Sequence, residues 1–436
     1  MRMKFNKSGQ LALVSAASLL VAALVTACGT LTVDFVFVTS SRAAGPNNYG
    51  EVDVFEVNSE SGFMRQIPTS PFPSGGRNPV AEAVSADNTN LYVVNQDDNT
   101  IVQFIIGNDG KLYPQNTTNT PGIYPLAVAV SGTNLFVVDT YQPLPSCSTA
   151  APCSGSIAVY PIAVGPTTPP SDSLGTPVTN SAIGAPYWPL SLPGSPTDVL
   201  EPTAINVLAS GKYLYVTAYD AAKGASYIFG FSIAAGTLVP LNGGAPLGGA
   251  GTPFATGICA SAYLNAPFVA GTCPSAIASD STGSYIYATD VANGKVLGYS
   301  VASATGLLTP LAGNPFPAGA QPSAIAIDPA YAYLYVANTL DSTVTAYSMS
   351  SGALTRVGSY ATGLQPVAIG IDPSTNHFLY TANFLGTTVN GTVSGFELSS
   401  TAGTLINSQN SPYSANALPT AVAAIPHNGT GAGAQK

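Results

Sequence analysis

Charged side chains are scarce in this chain of 436 residues, at 8% of the sequence, and 12 Lys and Arg stand against 21 Asp and Glu. The first 27 residues contain three basic residues and no acidic one: Arg2, Lys4 and Lys7. The rest of the chain therefore has a larger excess of acidic residues than the whole. Binding to nucleic acid requires a basic face for the phosphates. We therefore expect no nucleic-acid partner.

Long segments free of helix-breaking residues are also missing. The chain has 44 Gly and 36 Pro, which interrupt any period of 3.6 residues. Coiled coils and helical repeats are thereby excluded. A hydrophobic content of 46% supplies enough apolar surface for a core, which excludes a disordered chain.

The N-terminus has the features of an export signal. Arg2, Lys4 and Lys7 precede a mainly apolar run, Leu11 to Ala27, which predicts a signal peptide over residues 1–27. The end of this run, Val25-Thr26-Ala27-Cys28, resembles a bacterial lipobox, which implies cleavage before Cys28 and a lipid anchor on its thiol. The alternatives are an ordinary signal peptide with an incidental Cys or an uncleaved anchor helix.

The resemblance to a lipobox implies a cellular location and the position at which the mature chain begins. Residues 28–32 become a lipidated linker, and the membrane becomes a partner through the anchor at Cys28. Gly29 stands where an Asp would resemble an inner-membrane retention signal, so a cell-envelope lipoprotein in the outer membrane is favoured over the inner membrane.

The other cysteines form two pairs that are close in sequence. In an exported chain this predicts disulfides Cys147–Cys153 and Cys259–Cys273. The alternative is a structural zinc site, but its ligands would be tightly spaced pairs with His nearby, and His377 and His427 are the two histidines in the sequence. We predict no metal and no cofactor.

A short strand recurs seven times and identifies the fold as a repeat architecture. The copies are FVTS (37–40), YVVN (92–95), FVVD (136–139), YVTA (215–218), YATD (287–290), YVAN (335–338) and YTAN (380–383). Upstream of six copies lies an alternating segment that opens with Pro79, Pro125, Pro202, Pro274, Pro322 or Pro366. A third and often a fourth strand follow, so each unit is a four-stranded antiparallel meander of the size of a propeller blade.

The count of segments predicts how the ring closes. The first unit lacks the Pro-led strand, and a seventh copy, PTAVAAIP (419–426), occurs at the other end of the chain. We predict an all-β, seven-bladed β-propeller over residues 33–426 in which this strand completes blade 1 and removes an exposed edge. Residues 427–436 are predicted to be a disordered polar tail.

At this point a family resemblance becomes specific. The pattern P-x-A-I-A-I-D-P, L-Y-V-A-N and V-x-A-Y-x-x-x-x-G-x-L-T in residues 322–357 resembles YVTN and lactonase-type seven-bladed propellers. One branch of that superfamily is similar to 6-phosphogluconolactonase, a cytoplasmic sugar-lactone hydrolase, while many exported members have no assigned activity. The resemblance implies the fold and a lactone hydrolase as one activity, although a phosphorylated sugar is not expected as a substrate outside the cytoplasm.

Strand order assigns the loops to two faces of the ring. The top face carries the starts of the Pro-led strands and the loops after the second strands, whereas His377 and His427 map to the bottom face. The long spacings after Pro125 and Pro202 come from insertions at 141–155, 165–201 and 242–273, all expected on the top face. Insertions on one face are typical of a binding face, and neutral loop growth is the alternative.

The top face supplies the candidate site residues. Under the enzyme hypothesis Glu201 or Asp139 is the general base, and Arg77 and Arg42 hold an anionic group or polarise the lactone carbonyl. The ends of the second strands add the binding candidates Asn95, Asp290, Asn338 and Asn383. The alternative for the Asp and Asn positions is that they cap turn amides.

Three hypotheses for function follow from the sequence. The first is a lipid-anchored module at the cell envelope whose top face binds a small molecule, a glycan or a protein. The second is a hydrolase that opens a sugar lactone at the top face, and the third is a purely structural repeat protein.

Overall fold

The computed structural model describes residues 32–42, 48–147, 151–163, 173–220, 222–247, 274–329, 333–372, 378–386 and 390–427. The predicted signal peptide, Cys28, the pair Cys259 and Cys273, His377 and most of the predicted tail lie outside these residues. None of the helices in the described ranges has the length and apolar character needed to cross a membrane.

The described residues form strands arranged blade by blade along the chain. Blade 1 begins with β1 (Thr32–Ser41), β2 (Tyr49–Asn58), β3 (Met64–Gln66) and β4 (Phe72–Arg77). Blade 2 contains β5 (Pro79–Val84), β6 (Asn90–Asn95), β7 (Thr100–Ile106) and β8 (Leu112–Asn119). Blade 3 contains β9 (Ile123–Ser131), β10 (Asn134–Tyr141), β11 (Ser156–Ala163), β12 (Ser173–Leu174) and β13 (Trp188–Pro189).

The second half of the chain repeats the pattern. Blade 4 contains β14 (Glu201–Val207), β15 (Tyr213–Asp220), β16 (Ala225–Ala234) and β17 (Thr237–Pro240), followed by a 3₁₀ helix, η1 (Leu241–Gly244). Blade 5 contains β18 (Ile277–Ser279), β19 (Tyr285–Asp290), β20 (Lys295–Val301), β21 (Leu308–Pro310) and β22 (Phe316–Pro317). Blade 6 contains β23 (Pro322–Ile327), β24 (Tyr333–Asn338), β25 (Thr343–Ser350) and β26 (Ala353–Ala361). Blade 7 contains β27 (Leu364–Ile371), β28 (Phe378–Leu385), β29 (Thr392–Leu398), β30 (Leu405–Asn407) and β31 (Tyr413–Ser414), and the last strand is β32 (Leu418–Pro426).

The predicted closure of the ring is confirmed. Strand β32 pairs antiparallel with β1, with Phe37 opposite Ala423, so the strand order of blade 1 is β3-β2-β1-β32. The other six sheets have the order of the chain, and all seven are antiparallel four-stranded blades in which the fourth strand is sometimes split in two. The chain is therefore an all-β, seven-bladed propeller.

The innermost strands surround the axis of the ring. Strands β32, β5, β9, β14, β18, β23 and β27 neighbour one another in that order around a closed circle. Many of their residues are half-exposed although they lie at the centre of the molecule, which indicates an accessible central channel.

The blades are held together by buried side chains of the second strands. Each of the seven apolar clusters joins two adjacent blades, as where Tyr287 packs with Leu334 and Val336. The hydroxyls of Tyr215, Tyr287 and Tyr335 donate hydrogen bonds to the carbonyls of Gly306, Gly352 and Gly403 in the following blade, at 2.8, 2.7 and 3.3 Å. Gly352 has a φ of 82°, and a Cβ there would lie 2.5 Å from the ring of Tyr285, so the turn that carries this carbonyl requires glycine.

One expectation about the insertions is wrong. The insertion predicted at residues 165–201 does not lie wholly on the top face, because β12 pairs with the bottom end of β11 and β13 pairs with its top end. The residues between these two short strands run along the outer edge of blade 3, and residues 190–200 then reach the top face. Short outer segments of this kind carry too few alternating residues to be recognised as strands in the sequence.

Candidate functional site

The top face has a repeated backbone feature at the entrance to the channel. The residue before the inner-strand proline has a positive φ in four blades, namely Asn78 (50°), Tyr124 (55°), Gln321 (59°) and Gln365 (54°). A shift in strand register accompanies the proline in these blades. Such bulges redirect side chains at the rims of closed sheets, and non-glycine residues rarely adopt this backbone region without a reason.

Polar residues that end the second strands are buried, and two of them bind the backbone of the loop that enters the same blade. Asp139 Oδ2 accepts from the Gly122 amide at 3.2 Å, and Asn338 Oδ1 accepts from the Gly319 amide at 3.0 Å. The side chain of Asn383 donates to the hydroxyl of Ser394 at 2.9 Å.

The remaining members of this set have similar surroundings. Asn95 is fully buried and its amide is 3.4 Å from the Ser74 carbonyl, while Asp290 accepts from the Asn293 amide at 3.2 Å. The contacts of Asp139, Asp290 and Asn338 with turn amides match the capping alternative, whereas Asn95 and Asn383 act as donors. Their role in binding a ligand stays a prediction.

The two arginines predicted to bind an anion are engaged with carboxylates. Arg77 contacts Asp98 at 2.5 Å and also donates to the Asp97 carbonyl, while Arg42 pairs with Glu51, which is 3% exposed. The interaction with Asp98 raises the pKa of Arg77 above its ordinary value. A guanidinium held in this way has its charge balanced before any ligand arrives.

Glu201 is half-buried and begins the inner strand β14 at the top face. In β14 it pairs with Tyr219, next to Asp220. Burial raises the pKa of Glu201, and the Asp220 carboxylate raises it further. Burial raises the pKa of Tyr141, and the charge of Glu201 raises it further.

Side-chain contacts at the mouth connect blades 2 and 3, and strand β14 of blade 4 packs against blade 3 beside them. The Asn78 amide donates to Asp97, and Asn99 Oδ1 accepts from the Tyr124 amide at 2.7 Å. The ring of Tyr124 then meets that of Tyr141 edge-on at 6.1 Å. We call the following top-face residues of blades 2, 3 and 4 the mouth arc: Arg77, Asn78, Tyr124, Tyr141, Glu201 and Asp220. The arc combines a carboxylate of raised pKa with two tyrosine rings and an amide, groups that bind a hydroxylated ring.

The disulfide Cys147–Cys153 is formed, and its loop supports Glu201. Ser154, one residue beyond the disulfide, donates to the Asp198 carbonyl at 2.9 Å and accepts from the Leu200 amide at 3.0 Å. Because Leu200 immediately precedes Glu201, the disulfide loop orients the backbone that presents the carboxylate.

Asp139, the other predicted base, is fully buried. Burial raises its pKa to about 7, and hydrogen bonds from Thr120 and Gly122 oppose the shift. Its Oδ1 has no hydrogen-bond partner among the described residues. The geometry therefore makes Glu201 the carboxylate of the predicted pair that is better placed to reach a ligand.

Sequence reasoning missed Glu82, an acidic residue of the inner strand β5. Thr39 Oγ1 donates to Glu82 Oε2 at 2.5 Å, and burial raises the pKa of Glu82 to about 8. The signal was available in the repeat, because the third residue after each of the other inner-strand prolines is apolar. These residues are Val128, Ile205, Ile277, Ile325, Ile369 and Val422.

Part of the chain is similar to a known family of seven-bladed propellers. Residues 273–424 match the family described as lactonase, 7-bladed beta-propeller, so the resemblance seen in residues 322–357 is confirmed. Among curated proteins none matches the chain significantly.

Solved structures share the whole architecture. A candidate 6-phosphogluconolactonase from Bacteroides fragilis has 20% identity and a TM-score of 0.63, covering 90% of this chain and 98% of its own. The periplasmic gluconolactonase PpgL from Pseudomonas aeruginosa has 16% identity and a TM-score of 0.62, with the same two coverages. At these identities the similarity shows the fold.

Proposed function

We propose that this chain is a hydrolase that opens a sugar lactone at the mouth arc, with Glu201 as the general base. The observation that carries the proposal is a half-buried carboxylate of raised pKa on the same face as the Tyr124–Tyr141 pair, at the entrance of a lactonase-like propeller. The names of the structural neighbours, which refer to gluconolactone and to its 6-phosphate, agree with this substrate class.

The chemistry needs one proton acceptor and one donor to the developing oxyanion. Glu201 takes a proton from water as the water oxygen bonds to the lactone carbonyl carbon. The ring C–O bond then breaks, and the proton on Glu201 passes to the departing ring oxygen, which becomes a hydroxyl. The product is a hydroxy acid. A raised pKa makes Glu201 a stronger base than an ordinary carboxylate.

The test is the release of acid from glucono-δ-lactone by purified residues 29–436, with spontaneous hydrolysis subtracted. We expect Glu201→Gln to lower kcat by about 100-fold or more, the usual contribution of a general base. The matched control is Glu397→Gln, which changes an exposed carboxylate in the third strand of blade 7. Turnover that matches the blank in the wild-type protein, or persists in Glu201→Gln, would refute the proposal.

A binding module at the cell envelope is the second candidate. The disulfide-supported loop and the tyrosine pair at the mouth would suit a glycan or a protein segment as well as a lactone. Glycan binding without any lactone turnover would favour this candidate.

Localisation at the cell envelope is part of the same proposal, and it rests on the predicted signal peptide and Cys28. Replacing Cys28 with Ser should move the protein from the membrane fraction to the soluble fraction of the envelope. Unchanged membrane association would refute a lipid anchor at this residue.

A further inference from the structure

The structure gives the position of every basic residue of the propeller. Of the 12 Lys and Arg in the sequence, Arg2, Lys4, Lys7 and Lys436 lie near the ends, and the other eight are all described by the structure. Strand order places four of these on the top face: Arg42, Arg77, Lys223 and Lys295.

Each of the four already faces a carboxylate. Arg42 pairs with Glu51, Arg77 with Asp98 and Lys223 with Asp198. Lys295 lies opposite Asp290 across the strands β19 and β20. Three of the four basic residues on the top face are therefore in ion pairs, and the fourth lies beside a carboxylate.

Acidic residues outnumber the basic ones on the same face. Nine carboxylates lie in its loops and strand ends, namely Glu51, Asp97, Asp98, Asp139, Asp198, Glu201, Asp220, Asp290 and Asp341. Asp220 is 1% exposed, and its Oδ2 has no hydrogen-bond partner among the described residues. Three of the nine are in ion pairs and Asp290 lies opposite Lys295, so the other five give this face an excess of negative charge. A face with such an excess disfavours ligands of the same sign.

Resting on the proposed function, we infer that the mouth arc selects an uncharged, polyhydroxylated lactone and rejects one that carries a phosphate. Phosphate sites use a basic side chain or a row of backbone amides, and here the guanidinium of the arc is balanced by Asp98. The same field acts on the product, because ring opening creates a carboxylate that the substrate lacks. The acidic mouth therefore favours product release.

The experiment compares binding and turnover for a neutral ligand and its phosphate ester. Calorimetry would use D-gluconolactam and its 6-phosphate, which mimic the lactones and do not hydrolyse. We expect the neutral lactam to bind about tenfold more tightly or better at low ionic strength, with a preference that shrinks as salt is added. The ratio of kcat/KM for the two lactones should favour the neutral one in the same way.

Two variants test the charge argument. Asp98→Asn should release the Arg77 guanidinium and raise the affinity for the phosphorylated lactam several-fold. Asp109→Asn is the matched control, since it breaks the remote ion pair with Lys111 in a turn of the bottom face and should leave both affinities unchanged. A melting temperature for each variant verifies folding.

The outcomes are separable. Equal binding of the two lactams, or a preference that salt does not alter, overturns the selection while lactone turnover still supports the proposed hydrolase. A preference for the neutral lactam with no lactone turnover supports the selection and overturns the hydrolase. Absence of binding and turnover overturns both.

Discussion

Glu82 allows a direct test of how one carboxyl group makes the propeller sensitive to pH. It lies in β5 of blade 2 and accepts hydrogen bonds from the Thr39 hydroxyl of blade 1 and from the amide of Ala423 in the closing strand. Its Oε1 is inaccessible to solvent and has no hydrogen-bond partner among the described residues. The group thus lies at the junction where the two ends of the chain meet, with part of its side chain bordering the channel.

The size of the pH effect on the free energy of unfolding follows from the pKa of Glu82. Burial raises the pKa of Glu82 from 4.5 to about 8, so between these values the folded chain holds a proton that the unfolded chain has lost. The stability that Glu82 contributes is therefore fully present below pH 4.5, and it is lost as the pH rises through about 8. The full linkage corresponds to about 5 kcal/mol, and water in the channel reduces it, so we expect a loss of about 2 to 5 kcal/mol.

The assay is urea unfolding of the wild-type chain and of Glu82→Gln at pH 5, 7 and 9. The glutamine keeps the size and an acceptor for Thr39 but has no proton to release, so the variant should gain stability relative to the wild type as the pH rises. Other buried acids, such as Asp139, contribute equally to both proteins and cancel in the difference. Glu397→Gln, at an exposed position, should retain the wild-type slope. Parallel pH dependence of Glu82→Gln and the wild type would refute the reasoning.

Three further predictions concern the arc and the blades. Asp220→Asn removes a charge that raises the pKa of the candidate base, so the acid limb of the kcat/KM profile should move to lower pH, and an unmoved limb would contradict the assignment. Replacing Cys147 and Cys153 together with Ser should lower the free energy of unfolding by about 2 kcal/mol and also reduce lactone turnover, because the disulfide loop supports the backbone before Glu201. Wild-type values of both quantities would rule out that role. Tyr287→Phe removes a buried bond to the next blade and should cost about 1 to 2 kcal/mol in chemical denaturation, whereas Tyr113→Phe, at a ring 49% exposed, should cost almost nothing. Equal effects of the two changes would argue against the interblade bond.

The architecture could be predicted from the sequence because its causes are local and repeated. Alternation in segments such as YVAN, the proline that opens each inner strand and the glycine turns each act over a few residues, and seven copies make the pattern secure. The unmatched strand at 419–426 likewise predicted the closure of blade 1, which the pairing of β32 with β1 confirms. The split fourth strand of blade 3 escaped prediction because its two short pieces carry no period.

The site could be predicted only in outline. The sequence indicated that Glu201, Arg77 and the second-strand ends share one face, since strand direction follows from the order of the strands. It could not indicate that Asp98 neutralises Arg77, that Asn338 is turned towards a loop amide, or that Ser154 supports the residues before Glu201.

The sequence by itself therefore determined the number of blades, the order of strands and the acidity of the chain. The tertiary structure decided which carboxylates are buried, which charges are paired and where the two tyrosines meet. The physical reason is that strand formation depends on neighbours along the chain, whereas burial, pairing and pKa depend on neighbours in space. Thr39 and Glu82, or Ser154 and Asp198, become neighbours only when separate segments pack around the axis.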